Sequence, residues 1–402
     1  MMSENHRSGS LAFIAVLVSL HAAAARGADD IAGKLHRVEL PLKSPRGRDP
    51  VLGGSRDKVF FQLWIPAGVA TLRGAVCNPF SKDEEPSRHW KAACRHWGFA
   101  YLQTDYDAVR KDDHPLLAKA LTELAARSGR PEADRMPLCF LGMSRGGGMS
   151  MQFAELLADR TLAAVPVCLE VGPTTEPTRR IPVLTVFGEK DGRQMEQLLG
   201  KLPTARKDGA RWAIAVQWGR KHEFGQANNL SFVFLDDVIA RRLPKDPAGG
   251  LVDIPLEDGA LADPRSWSRD GGRPEVKAWK DFSGDREQAC WFPSARSAAV
   301  WRAFVSGSRD VTIVKPAGLG DGQPFVLHSA AAAMTVELTL GAGVKATKVE
   351  LWDGDVRLAE CVGAPWKFEV ALKPGIHGLF ATATGTDGRV LSSRPHTVVV
   401  AD

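Results

Sequence analysis

From Val59 onward, apolar residues come in short unbroken runs: Val59 to Ile65, Gly74 to Cys77, Phe99 to Gln103, Leu138 to Leu141, Ala163 to Leu169, Val183 to Phe187 and Ala213 to Gln217. Such runs suit strands buried on both faces, as in a parallel sheet. Between them Leu116, Leu117, Ala120, Leu121 and Leu124 share one helical face, and so do Met149, Phe153 and Leu156. Strand and helix alternate from about Lys58 to Leu243, which predicts an α/β fold: a mostly parallel sheet with helices on both faces.

The rhythm breaks after Pro244. Residues 245–308 are rich in Asp, Arg, Gly, Pro and Trp, with one helical piece at Ala295 to Phe304. This stretch is expected to pack on the preceding sheet as an extension without chemistry of its own. From Asp310 short β runs alternate with turn residues. Val349 and Leu351 precede an Asp353-Gly354 turn, and His377, Leu379, Ala381 and Ala383 precede Asp387-Gly388. Residues 309–402 are therefore expected to form an all-β sandwich.

The amino-terminal end carries Arg7, an apolar run from Leu11 to Leu20, and then the small residues Ala22 to Ala25 and Gly27. Ten apolar residues fall short of the about 20 that a spanning helix needs. Residues 1–27 are thus expected to be a cleaved export signal, leaving residues 28–244 as the α/β unit in an exported compartment, whether periplasmic, cell-surface or extracellular.

Composition narrows the chemistry. The chain has 402 residues with 52 Lys+Arg against 47 Asp+Glu, a net charge of +5, and no run of five basic residues, so nucleic acid is excluded as a partner. Cys77, Cys139 and Cys168 lie in apolar runs and read as core filling, while Cys94, Cys290 and Cys361 are isolated. No CxxC pair is present, so neither a metal nor a cofactor is expected.

The chemistry concentrates at Leu138 to Gly148, LCFLGMSRGGG, where an apolar strand runs into Gly142-Met143-Ser144-Arg145-Gly146 and then a helix. This is G-x-S-x-G between strand and helix. A serine on so sharp a turn adopts strained backbone angles, its neighbours must be small, and the following helix aims N–H groups at developing negative charge. The plain alternative is a glycine-rich turn that lets a helix pack closely.

With that elbow, residues 59–243 resemble an α/β-hydrolase. The resemblance implies the order serine, acid, histidine. His222 is the only histidine between Ser144 and the sandwich, in a loop that follows the run ending at Gln217. The acid is expected at a strand end, and Asp191 of Gly188-Glu189-Lys190-Asp191 is preferred over Glu170 and Glu189. The oxyanion hole is expected from the N–H of Arg145 and from Asn78 or Phe80, since Pro79 between them has no N–H.

Two further resemblances bear on the substrate. KVELWDGDVRLAE, APWKFEVAL and PGIHGLFATATGTDGR resemble bacterial Ig-like modules of secreted carbohydrate-active enzymes, with Gly385 where such modules usually carry Asp. Ser144-Arg145 resembles the G-C-S-R-x-G elbow of glucuronoyl esterases, with Met143 in place of the Cys. Together they imply a serine carboxylesterase acting on a small-molecule or polysaccharide-linked ester of a carbohydrate or plant phenolic, its Ig-like module contacting carbohydrate or the cell surface. The alternatives are a peptidase of the prolyl-oligopeptidase type and a non-catalytic binding protein that attaches through its sandwich or through Trp267, Trp279, Trp291 and Trp301.

Overall fold

A computed structural model of the chain describes residues 31–46, 56–79, 81, 85–105, 115–245, 250–268, 273–316, 323–327 and 334–401. The expected export signal lies outside these residues, as does Phe80. Among the described residues no helix is long and apolar enough to cross a membrane.

The first unit is built on an eight-stranded sheet. In chain order its strands are β1 (Gly33–Arg46), β2 (Arg56–Pro66), β3 (Gly74–Pro79), β4 (Phe99–Thr104), β5 (Leu138–Met143), β6 (Thr161–Val167), β7 (Val183–Gly188) and β8 (Trp212–Gln217). In space they run β1-β2-β4-β3-β5-β6-β7-β8, parallel from β4 through β8, with β1 and β2 added antiparallel at one edge. Strands β4, β6, β7 and β8 are buried at every position, which is why they read as unbroken apolar runs.

Helices α1 (Arg88–Trp97), α2 (Pro115–Ser128), α3 (Arg145–Leu156), the single turn α4 (Glu176–Arg179) and α5 (Gln194–Lys207) connect these strands, and α6 (Asn228–Arg242) follows β8. In α3, Met149 and Phe153 are buried as expected, but Leu156 is 42% exposed. It occupies the last turn, beyond the part of the helix that packs on the sheet.

Residues 250–306 contribute a small sheet of β9 (Ala260–Ala262), β10 (Val276–Ala278) and β11 (Cys290–Phe292), followed by α7 (Ala295–Ser306). Strand β11 and helix α7 lie on β8. Trp291 and Trp301 are fully buried, and the Trp301 indole donates to Ile214 O of β8 at 2.7 Å.

The remaining strands form two sheets around a second apolar core. One holds β12 (Val311–Lys315), β14 (Met334–Leu340) and β17 (Lys367–Val370). The other runs β13 (Phe325–Leu327), β20 (His396–Val400), β18 (Gly375–Gly385), β15 (Ala346–Asp353) and β16 (Val356–Cys361), with β19 (Val390–Ser392) paired to β18.

Leu379, Ala381 and Ala383 face the sandwich core, as their alternation predicts. The opposite face of β18 is buried too: Phe380 packs on Ala299 and Ala303 of α7. A Cβ at Gly378 would stand 2.6 Å from Val300 and 3.0 Å from Val233, so only glycine lets the strand lie this close to α6 and α7. Asn229 of α6 accepts from Thr397 N at 3.1 Å, and Arg296 of α7 joins Asp236 (2.8 Å), Asp237 (2.6 Å) and Ile376 O.

Candidate active site

Ser144 stands between β5 and α3 with φ 54° and ψ −121°, in the positive-φ region that a side chain rarely adopts. Two close approaches hold the bend. A Cβ at Gly142 would sit 2.5 Å from Gly146 O, and one at Gly147 would sit 3.1 Å from Gly142 O. The Ser144 N–H donates to Val167 O at 2.7 Å, which ties the elbow to the end of β6. Strain of this kind persists only where the surroundings over-determine it.

His222 arrives from the sheet edge. Its loop leaves β8, the outermost strand, and returns across the carboxyl end of β7, where Lys190 N donates to Arg220 O at 2.8 Å. Gly188 makes that return possible, because a Cβ there would be 2.6 Å from Arg220 O and closer still to Lys221 O. Gln217 clasps the far end of the loop, accepting from Gln226 N at 2.7 Å and donating to Phe224 O at 3.3 Å.

The Asp191 carboxylate meets His222 Nδ1 at 2.9 and 3.1 Å. Asp191 is 11% exposed and the imidazole 47%, so the acid is sheltered while the base opens to solvent. The Gln194 amide donates to the second Asp191 oxygen at 2.6 Å. This leaves Nε2 as the nitrogen able to take a proton. Among the described residues the Ser144 hydroxyl makes no hydrogen bond; catalytic hydrogen bonds of this kind often close only around bound substrate.

The other two acid candidates serve elsewhere. Glu170 pairs with Lys201 on α5. Glu189 accepts the Gly219 N–H at 2.6 Å and so anchors the histidine loop. Arg145 is the first residue of α3 and follows Ser144 directly, at the amino end of that helix. Asn78 lies at the carboxyl end of β3, the strand beside β5, with its amide donating to Tyr101 at 3.3 Å.

One residue read as core filling belongs to this site. Cys168 follows β6 directly, has φ 52°, and donates its thiol proton to Glu223 O at 3.0 Å. The metal-ligand type atoms of Cys168, Asp191 and His222 lie within 4.8 Å of one another. Burial first, and then the neighbouring Asp191 carboxylate, push the thiol up to about 12, so it stays protonated and acts as a donor rather than a nucleophile. Nothing in the sequence marked it out, because its contact depends on the His222 loop crossing the end of β6.

Sheet order and helix placement give the fold: it is that of the α/β-hydrolases, joined to an all-β sandwich. No family model and no curated protein matches the chain. Among solved structures, an esterase of Pyrobaculum calidifontis is similar at 14% identity over 55% of this chain and 88% of that one, with a TM-score of 0.35. An S-formylglutathione hydrolase from Agrobacterium tumefaciens is similar at 13% identity, over 52% and 95% of the two chains, with a TM-score of 0.34. The fibronectin(III)-like modules of Clostridium thermocellum CbhA match 22% of this chain and 93% of theirs at 24% identity, with a TM-score of 0.20.

Proposed function

We propose that the protein is an exported serine carboxylesterase that works through an acyl-enzyme. The observation that carries this reading is the Asp191–His222 hydrogen bond, held by a loop that crosses the end of β7 and reaches Cys168 at the end of β6, beside the strand that leads to the strained Ser144. Ser144 Oγ attacks the ester carbonyl while His222 Nε2 takes its proton. Asp191 holds the ring in the tautomer that leaves Nε2 free and stabilises the imidazolium. The tetrahedral oxyanion is met by the Arg145 N–H, with Asn78 or Phe80 as the second donor. Collapse expels the alcohol with the proton returned by His222, and water then repeats the sequence on the acyl-Ser144 ester.

Esters of carbohydrates or plant phenolics are the proposed substrates, supported by the elbow's Ser144-Arg145 and by the appended sandwich. Similarity to an esterase and to an S-formylglutathione hydrolase agrees with ester chemistry. Export rests on residues 1–27, and a mature amino terminus near Ala28, read by mass spectrometry, would test it. For the chemistry, a fluorophosphonate probe should label the wild type at Ser144 and fail on Ser144→Ala. Acetyl, feruloyl and glucuronoyl methyl esters would then rank the substrate classes. No labelling together with no hydrolysis of any activated ester would overturn the proposal.

A further inference from the structure

Two adjoining hollows, of about 420 and 440 Å³, open along the seam where the histidine loop meets the sandwich. They share Trp218, Ser308, Arg309 and Arg394 and so form one continuous cleft. One wall is the loop that carries His222, through Trp218, Gly219, Arg220 and Glu223; the other belongs to the sandwich, through Arg389 and Arg394. Each hollow is within the roughly 300–1,000 Å³ range of small-molecule sites and is too large for a single oxyanion.

The charge in this cleft is one-sided. Among the described lining residues Arg220, Arg309, Arg389 and Arg394 stand with the two carboxylates Glu223 and Asp310, and Glu223 is engaged by Arg220 at 3.4 Å. Arg309 is exposed, and among the described residues its guanidinium has no hydrogen bond or ion pair. It lies against the histidine loop: a Cβ at Gly219 would be 3.7 Å from its Nη2. Clefts lined by one sign of charge concentrate ligands of the other, and the planar fork of arginine matches carboxylate and sulfate oxygens. Trp218 adds a fixed apolar platform, its indole N–H held by Val305 O at 2.6 Å and its ring braced edge-on by Trp267.

We infer that this cleft binds an acid-bearing sugar chain, with Arg309 gripping its carboxylate or sulfate and Trp218 lying along a ring face. The inference rests on the ester-hydrolase reading in one respect: the bound chain is the part of the substrate that leads to His222. The sandwich then forms part of the substrate site rather than a remote anchor.

The test uses the full mature chain carrying Ser144→Ala, to prevent turnover, and isothermal titration with tetragalacturonic acid, a sulfated tetrasaccharide, neutral cellotetraose and a hexaglutamate peptide. At least one acidic sugar should bind, cellotetraose should bind at least tenfold more weakly, and added salt should weaken the acidic ligand. Adding Arg309→Gln should raise the Kd of the acidic sugar roughly tenfold with an unchanged melting temperature, and Arg309→Lys should recover part of the loss. The ratio of the two acidic sugars tells carboxylate from sulfate. Equal binding of the neutral sugar, an unchanged Kd in Arg309→Gln, or hexaglutamate binding as tightly as the sugars would overturn the inference. Ester hydrolysis by the wild type is scored separately, so binding without any hydrolysis would sink the esterase reading and leave the cleft standing.

Discussion

Gly188→Ala is the sharpest probe of how the histidine is delivered. The added Cβ would stand 2.6 Å from Arg220 O and nearer to Lys221 O, where 3.4 Å or more is ordinary contact. The backbone of β7 is buried in the sheet and cannot yield, so the loop must retreat. The displacement is about 1 Å at the residues preceding His222, and a misplacement of that size costs a catalytic group on the order of 100-fold in rate. The overpacking itself should cost about 1–3 kcal/mol of stability. The assay is p-nitrophenyl acetate hydrolysis, with kcat and KM separated, beside thermal unfolding by circular dichroism. The expected result is a fall in kcat of about two orders of magnitude in a protein that still folds. If Gly188→Ala melts earlier yet keeps kcat within about twofold of wild type, the loop does not owe its position to this contact, and the account of the delivery fails.

Four other outcomes follow from the geometry. Asp191→Asn should lower kcat by about 10³–10⁴-fold with KM little changed, because the imidazole loses its tautomer control; a loss confined to KM would contradict this. Cys168→Ala removes one donor beneath the histidine loop and should cost about fivefold in kcat, with Cys168→Ser recovering most of it; equal behaviour of the two variants would reduce Cys168 to packing. Trp301→Ala should cost about 3–5 kcal/mol in a denaturant titration, since a fully buried ring and its bond to Ile214 O are lost; a loss under 1 kcal/mol would show, against about that range, that the 245–308 stretch is not integral to the core. For His377, burial lowers the pKa but the Asp353 carboxylate at 2.7 Å outweighs it, so the net value is raised. That stability is full below the unfolded pKa of about 6.5 and is lost as pH rises through the raised value. The melting-temperature gap between wild type and His377→Gln should therefore be widest near pH 6 and shrink on the alkaline side, whereas a gap flat across about pH 5–9 would disprove the linkage.

The sequence disclosed the central strands because burial on both faces leaves unbroken apolar runs, and it disclosed the elbow because its glycines are forced by contact. It hid β1. There Val38, Leu40 and Leu42 alternate inward with His36, itself only 8% exposed, among charged neighbours and with Pro41 in mid-strand. An edge strand tolerates that proline, which is why the run does not announce itself as β. Chain order and strand ends singled out His222 and Asp191, the two side chains that the fold brings into contact. Glu189 as an anchor of the loop, and Cys168 as a donor within the site, were not, since both roles depend on which loop crosses which strand end. Burial on both faces of β18 was equally unreadable, because its outer face looks for a partner that only the packed helices supply.

The fit of β18 against α6 and α7 bears on how the protein meets a surface. A module on a tether lets its catalyst sweep freely around the point of attachment. Here Gly378 sits hard against Val233 and Val300, and Thr397 is bonded to Asn229, so the two units have no independent swing. Whatever the sandwich touches fixes the bearing of the Ser144 elbow, and under the proposed chemistry only bonds presented at one angle and one height come within its range. Cutting the chain near residue 308 would bare the apolar flanks of both helices, so the hydrolase freed in this way should aggregate before it could be assayed as a smaller enzyme.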